Sequence, residues 1–543
     1  MLRVVRNGTR IVWSRDDIFT MVSILGPDHA VEKWCPYNPA VLKLAATKRT
    51  LQLSSTAHDW LEYETAHRTK LSEVKRMGDA YPMTTYERKA WPHQRVALQL
   101  FRLIQQDHDG ILVHDSTGVG KTLQSLLWSL IVLRSSRTLI LTKNIVKEQW
   151  ADAIRDFIGT DQRITVVEGT ISDQIRKAST MKGWVIGHWE SLVHAKLGYL
   201  QRPWGAIIAD EVQYIGNGNS KRGEAIHQLD ATYRMAMSAH PFSNDVGELF
   251  NVLKFLYPRR YTSYWRFVHM HGKLIPKDFG GHDIEGARRP KLLGWEIAPF
   301  TIGRTKHEVF KTIPRINHAP ALRTELTPKG NREYNRLRKQ VFAELEALDG
   351  STKFLPIIND LARTTRMRQY LIDPALVGAG EPSVKFAALW ELYDEIYEPT
   401  VVFSNYRKAL DNLEVYLHKK NKRLRIVQIH GNMTKVVRKI QKNFQAGNID
   451  ILTVVSSAGN EALNLGGHGY VVHLDLPWTP REFEQRNGRV DRPAEGTGKL
   501  VPTTSYRITV KGSYEDKMEK RLVKKHDTFR GVFTVNDLKE LFE

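Results

Sequence analysis

Three short groups of residues in this 543-residue chain have types and spacings suited to phosphate chemistry. The first is Asp115-Ser-Thr-Gly-Val-Gly-Lys-Thr122. Gly118 and Gly120 would let backbone N–H groups close on phosphate oxygens. Lys121 would place a point charge on the β- and γ-phosphates, and Thr122 would offer a hydroxyl to Mg2+. Ser116, Thr117 and Val119 complete the cradle, while Asp115 stands where the general phosphate-loop pattern has its first glycine. Such a turn also arises by chance in glycine-containing loops, so the other groups decide its meaning.

The second group is Asp210-Glu211. Asp210 suits Mg2+ binding, directly or through water, and Glu211 suits polarising an attacking water. Acidic pairs often cap strands; downstream of Lys121-Thr122 this one reads as catalytic. The third is Gln485-Arg-Asn-Gly-Arg-Val-Asp-Arg492. Arg489 and Arg492 are three apart, so a helix would put both on one face. Two guanidiniums there suit stabilising a γ-phosphate as arginine fingers. The alternative is a solvated basic helix face, against which Gln485 and Gly488 complete a specific pattern. Upstream, Gln94 in Pro92-His-Gln-Arg-Val-Ala97 can offer an acceptor and a donor together to an adenine edge, favouring ATP.

The elements that must position these groups read as alternating strands and helices, the pattern of a parallel α/β sheet. Ile111–Val113 is a short buried strand, and Leu123–Leu133 is long enough for the helix after the loop. Further strands are expected at Thr138–Thr142, Ile164–Val167, Trp184–Ile186 and Ala206–Ala209. A second set is expected at Thr400–Phe403, Arg425–Ile429, Ile451–Val455 and Tyr470–Leu474. Between the sets, Tyr257–Lys311 is rich in Arg, Lys, Trp and Gly, with Gly280-Gly281 and Arg288-Arg289-Pro290 as loop punctuation. Residues 1–80 look like a small accessory module, with a hairpin signal around Asn7-Gly8 and a helix from Trp60 to Lys75. Its interleaved aromatic and basic residues suit nucleic acid, or equally packing on a neighbouring domain.

Net charge is +21, from 80 Lys+Arg against 59 Asp+Glu. That excess favours a polyanionic partner, nucleic acid first and an acidic membrane surface second. The single Cys35 excludes an internal disulfide framework and a Cys-x-x-Cys zinc site, and fits a reducing compartment. No apolar run reaches spanning length, and the start lacks a signal-peptide core, so a cytoplasmic protein is expected, in a host cytoplasm if the chain is viral.

Taken together these motifs resemble a superfamily 2 helicase-like ATPase of the Swi/Snf DNA translocase family, over about Pro82 to Lys524. Asp115–Thr122 resembles that family's Asp-Glu-Met-Gly-Leu-Gly-Lys-Thr loop, which accounts for Asp115. Leu139-Ile-Leu-Thr-Lys with Gln149-Trp150 resembles motif Ia, and Asp210-Glu-Val-Gln213 the Asp-Glu-Ala-His box. Ser238–Asn244 is similar to motif III, and Arg304-Thr-Lys306 to the family's Arg-Thr-Lys segment. Arg368-Gln369, Phe403-Ser404 and Ile429-His430-Gly431 continue the match. So do Ser457-Ala-Gly459 with Leu463-Asn464-Leu465, and Asp475 with Trp478-Thr-Pro480. The chain departs from the pattern at Gln213, Ala462 and His240, positions that bear on coupling to DNA more than on hydrolysis, and at Pro493, where the family's Gly-Gln pair is missing.

The resemblance implies two tandem RecA-like parallel-sheet lobes with helical insertions, plus the N-terminal module. The expected divisions are 1–80, then lobe 1 at 81–318 with an insertion at about 245–300, a helical linker at 319–384, and lobe 2 at 385–543. ATP and Mg2+ would lie between lobes. Gln94, the loop, Asp210 and Glu211 would come from the first lobe, and Arg489, Arg492 and Gly459 from the second. Lobe closure would drive a monomer along double-stranded DNA, or forked DNA, in replication, recombination or repair. The compact length points to a prokaryotic or phage-type translocase rather than a nucleosome remodeller. Alternatives are a fork-remodelling or strand-annealing helicase, a nucleotide-gated DNA scaffold without turnover, and a motor on a protein–nucleic-acid complex.

Overall fold

Runs of apolar residues too short for helices become the buried strands of two parallel sheets. The computed structural model describes residues 90–522, apart from 181, 219, 243–244, 277–281, 289, 311–315, 348–354, 432–433, 457–462, 493–500, 517 and 521. Upstream it describes 3–5, 10–12, 34–36, 66, 70–71 and 73–74. The chain forms two compact units that meet in sequence at Val309 and Phe310.

In the first unit, β1 (Arg3–Val5), β2 (Arg10–Val12) and β3 (Trp34–Pro36) form a small antiparallel sheet, with Arg3 opposite Val12 and Val5 opposite Arg10. The larger sheet holds β4 (Gly110–Val113), β5 (Arg137–Thr142), β6 (Ile164–Val166), β7 (Gly183–His188), β8 (Trp204–Asp210), β9 (Ala231–Met237) and β12 (Thr301–Ile302). Its order is β12-β4-β9-β8-β5-β7-β6, parallel throughout. Ile111, Leu112, Ile140, Ile207 and Ile208 are fully buried. Each such side chain contributes about 1.5–3 kcal/mol relative to exposure.

Strand β9 had no sequence signal. Ala-Thr-Tyr-Arg-Met-Ala-Met lacks a β-branched run, and it is a strand because β4 and β8 pair with it on both sides. Its insertion sets the phosphate-loop strand and the acidic strand two places apart, with their C-terminal ends on the same edge of the sheet. Ligands of open parallel sheets bind at that edge.

The helix after the loop, α2 (Lys121–Leu127), starts two residues earlier than the sequence suggested and then widens into a π turn at Trp128–Val132. There Leu133 N donates to Trp128 O at 3.0 Å, and the Ser129 hydroxyl lies 2.6 Å from Thr138 Oγ1 on β5.

The insertion carries α4 (Val246–Leu256), α5 (Tyr264–His271), a hairpin of β10 (Gly272–Pro276) and β11 (His282–Ala287), and α6 (Pro290–Ile297). The hairpin was not read from the sequence, and Gly280-Gly281 lies outside the described residues. Its base is fixed by a buried polar cluster. Glu296 Oε1 accepts from the Tyr261 hydroxyl at 2.9 Å and from Arg260 at 3.3 Å, and His271 Nε2 lies 3.3 Å from Oε2.

Burial alone would raise the Glu296 carboxyl. His271, Arg260 and Tyr261 overcome it and hold the group at about 2, below its ordinary 4.5. A depressed carboxyl stabilises the fold above its unfolded value, and that stability is lost as pH falls through 4.5 toward 2. It amounts to ~3 kcal/mol. Glu296→Gln is therefore expected to lower the urea midpoint at pH 7. The variant should also shrink the stability difference between pH 7 and pH 3, measured on the same chain.

The second unit holds β13 (Asn317–His318), β14 (Leu322–Thr324), β15 (Thr400–Ser404), β16 (Ile426–Ile429), β17 (Ile451–Val455), β18 (Tyr470–His473) and β19 (Thr504–Val510). The order is β13-β19-β18-β15-β17-β16, again all parallel, with β14 also on β19. Asn317 lies opposite Thr504, so residues just before 318 already belong to this sheet. Two long helices, α7 (Pro328–Ala347) and α8 (Leu355–Ile372), follow β14, and the Tyr370 hydroxyl donates to Gly330 O at 2.8 Å. Among the described residues no helix is long and apolar enough to cross a membrane.

Candidate active site

At the C-terminal end of β4 the chain turns through Gly118 (φ +83°) and Gly120 (φ +85°), left-handed positions that favour glycine. A Cβ on Gly120 would also sit 2.2 Å from the Gln94 amide nitrogen. Gln94 lies in the first turn of α1 (Pro92–Ile104), where its Oε1 accepts from Trp91 N at 2.8 Å and its Nε2 donates to Gly120 O at 3.2 Å. The residue expected to read adenine thus holds the phosphate loop, with one lone pair and one N–H of its amide engaged. Next to it, the His93 ring donates from Nε2 to Val119 O at 2.9 Å. Lys121 lies across the loop, donating from Nζ to Asp115 O at 2.6 Å and Ser116 O at 3.1 Å. Ser116, Thr117 and Thr122 are half-buried around it.

The Asp115 side chain points away from the loop's open face. Its carboxylate is fully buried, and Arg304 Nε donates to Oδ1 at 3.1 Å while Nη2 bonds Oδ2. Gln124 Nε2 donates to Oδ2 at 3.1 Å. Burial would raise this carboxyl, but the Arg304 guanidinium overrides burial and holds it below its ordinary value. The side chain anchors the loop from behind.

Asp210 closes β8, and Glu211 follows with a left-handed backbone (φ +54°, ψ +51°). For a residue other than glycine that costs about 1–2 kcal/mol, a strain typical of functional positions. Gln213 Nε2 donates to Glu211 Oε2 at 2.6 Å. On the other side, the Thr142 hydroxyl and the Trp150 indole N–H both donate to Asp210 Oδ2, at 2.9 and 3.3 Å. Thr142 ends β5, beside β8, and Trp150 is buried on α3 (Lys147–Phe157).

Burial and the adjacent Glu211 charge push Asp210 up to about 6, against the opposing pull of Thr142, Lys121 and Trp150. A carboxylate so short of positive charge fits a divalent cation as partner. Among the described residues no group of His, Cys, Asp and Glu is large enough to hold a metal alone. Asp210 at the end of β8 and Thr122 in the first turn of α2 are the groups that could hold a divalent cation. Trp150→Phe keeps the buried ring and deletes one donor to Asp210. It is expected to cost about 10-fold in turnover at saturating ATP with little change in melting temperature, measured by steady-state ATPase and thermal unfolding.

The third group lies in the second unit on α9 (Pro480–Val490), which is capped by Thr479 accepting from Glu482 N at 3.2 Å. Arg486, almost fully buried, donates to Asp475 Oδ1 at 3.2 Å and to Glu482 Oε1 at 2.7 Å. Asn487 Oδ1 accepts from His473 Nε2 and Ser505 Oγ, both at 2.9 Å. Burial, then the Arg486 charge, keep the His473 imidazole well below its ordinary value, so it is neutral.

These contacts fix the helix. Arg489 and Arg492 do not share a helical face, because α9 ends at Val490 and Asp491 takes a non-helical backbone. Both still reach one loop: Leu465 N donates to Arg489 O at 2.8 Å, and Arg492 Nη1 donates to Leu463 O at 3.4 Å. Gly459 and Pro493 lie outside the described residues. The structure thus gathers Gln94, the loop, Asp210 and Glu211 in the first unit and the two arginines in the second. Sequence reasoning gave no role to Thr142, Trp150, Gln124, Arg304 or Arg486. Thr142, Trp150, Arg304 and Arg486 lie within the motif blocks, but only the folded contacts reveal their partners.

A family model described as the SNF2-related domain matches residues 93–375, and one described as the helicase conserved C-terminal domain matches 384–494. Among relatives, the uncharacterized ATP-dependent helicase YqhH of Bacillus subtilis is 23% identical over 470 residues, covering 81% of this chain and 79% of that one. The human DNA repair and recombination protein RAD54-like is 24% identical over 530 residues, covering 83% and 68%. Among solved structures, the Sulfolobus solfataricus SWI2/SNF2 ATPase core in complex with dsDNA is 19% identical, with 83% of this chain and 94% of that chain covered and a TM-score of 0.37. With one family model spanning more than half of its length, the chain belongs to the SNF2-related family and is a helicase-like, DNA-dependent ATPase.

Proposed function

We propose that the chain is an ATP-driven translocase on double-stranded DNA, working as a monomer in replication, recombination or repair. The observation that carries this reading is the intact hydrolytic set at one sheet edge: Lys121 on the loop, and Asp210 and Glu211 at the end of β8. A DNA-binding scaffold without turnover has no need of a strained glutamate beside a cation-seeking aspartate.

In this reading Lys121 leaves its loop carbonyls for the β- and γ-phosphates, and the loop N–H groups take the remaining oxygens. Thr122 and Asp210 would hold Mg2+, which would supply charge neutralisation at the phosphates. Glu211, steadied by Gln213, orients the attacking water, and Arg489 and Arg492 stabilise the transferring phosphoryl charge. The net charge of +21 suits contacts to DNA phosphates, largely independent of base sequence. The human relative named for repair and recombination favours that setting.

One observation favours fork remodelling as the second reading. Helix α5 exposes Trp265 (58%) and Tyr264 (37%), with the His269 ring 6.2 Å from Trp265, at the base of a hairpin within a basic segment. Exposed aromatics on a basic surface stack unpaired bases.

The test is the ATPase rate with duplex DNA, single-stranded DNA, forked DNA, RNA or no nucleic acid. Strong stimulation by plain duplex supports translocation. Preference for forks or single strands moves the assignment to fork remodelling. No stimulation by any DNA overturns both.

A further inference from the structure

We propose that Arg304 is a positioning residue for the nucleotide, joining through Asp115 and Gln124 the segments that carry the nucleotide-facing atoms. The inference rests on the phosphate loop being the ATP site.

The residue grips the loop by side chain and backbone together. Its guanidinium bonds both Asp115 oxygens, Nη2 also donates to Gln124 Oε1 at 2.9 Å, and Nη1 donates to His93 O. Its own carbonyl accepts from Ser116 N at 2.9 Å, and two residues earlier Ile302 O accepts from His114 N at 2.8 Å, continuing the β12–β4 pairing. One side chain thus connects the first turn of α1 next to Gln94, the loop at Asp115 and the second turn of α2 at Gln124.

Each of these segments carries an expected ligand contact. Gln94 follows His93, and Lys121 donates to Asp115 O, so moving Asp115 moves the lysine's resting place as well. The guanidinium is planar and forked, and it fixes Asp115 in direction as well as distance, which an ammonium would not do. The cluster is buried, with Asp115 fully enclosed and the Arg304 side chain 16% exposed, so water does not substitute for its bonds. Five residues past Arg304 the chain reaches Val309, where the first unit ends. The nucleotide loop is therefore tied to the segment by which the chain leaves that unit.

A purely structural pair and a positioning pair respond differently when the charges are replaced together. Losing one partner of a buried ion pair strands the other, whereas exchanging both for apolar groups of similar volume is often neutral or stabilising. The test compares the full-length chain with Asp115→Leu/Arg304→Met and with Gln124→Met. It measures thermal unfolding, equilibrium binding of a fluorescent ATP analogue, and ATPase KM and kcat.

The double variant is expected to melt close to the unmodified chain while binding the analogue about 10–100-fold more weakly, the scale of a loop displaced by about 1 Å. Gln124→Met keeps both charges and removes only the amide bonds. It should weaken binding by about 2–10-fold and raise KM more than it lowers kcat. Unmodified affinity in a folded double variant overturns the proposal. If the double variant does not fold, unmodified affinity in Gln124→Met overturns it alone. Failure of the unmodified chain to bind the analogue overturns the reading of the loop as the ATP site, and this inference with it.

Discussion

Glu211→Gln is expected to keep ATP bound while turnover falls by about 10²–10⁴-fold, the usual contribution of a positioned general base. The substitution is nearly isosteric and preserves the hydrogen-bond reach to Gln213, so the left-handed backbone at 211 need not change. It removes the charge that, in the proposed mechanism, polarises water. It also removes the like charge that, with burial, raises Asp210, so the neighbouring carboxylate should hold its cation no less well. Binding of a fluorescent ATP analogue should match the unmodified protein, and a single-turnover assay should show the chemical step slowed. Ordinary ATPase activity in this variant would remove Glu211 from the mechanism.

Arg489→Ala should be at least as severe, about 10³–10⁵-fold in turnover, because an arginine finger acts on charge that develops only in the transition state. ATP affinity should change little. The control is built into the same helix. Arg486 is buried and pairs with Asp475 and Glu482, so Arg486→Ala should lower thermal stability, whereas the loss in Arg489→Ala should appear in turnover. Lysine at 489 keeps the charge but not the fork and should rescue little of the rate. A variant lacking Arg489 that turns over normally would leave Arg492 as the finger. Arg492 lies beyond the end of α9, donates to Leu463 O, and is held below its ordinary pKa by burial.

The parts of the fold most legible in sequence were those governed by local pattern. Strands β5, β8, β15 and β17 are short apolar runs buried along most of their length, and their positions followed from composition alone. Strand β9 was not legible, because its identity comes from neighbours on both sides rather than from its own residues. The end of α9 was misread for a related reason. Spacing placed Arg489 and Arg492 on one face only if the helix continued, and nothing in Val490-Asp491 announces the stop. Among the site residues, Lys121, Asp210 and Glu211 stood out because their chemistry is carried by type and order. Thr142, Trp150 and Arg304 act through partners 68, 60 and 189 residues away, a separation that no local window spans.

The 189-residue gap between Asp115 and Arg304 also sets an order of events during synthesis. At about 5–20 residues per second, roughly 10–40 s pass between the emergence of Asp115 and of the arginine that neutralises it. Until then the loop lacks both its buried counter-ion and the edge strand β12. The nascent first unit consequently acquires its phosphate cradle last, after the acidic strand and the insertion have been made. A ribosome stalled before residue 304 would carry a sheet lacking β12 and a loop whose Asp115 has yet to meet its counter-ion.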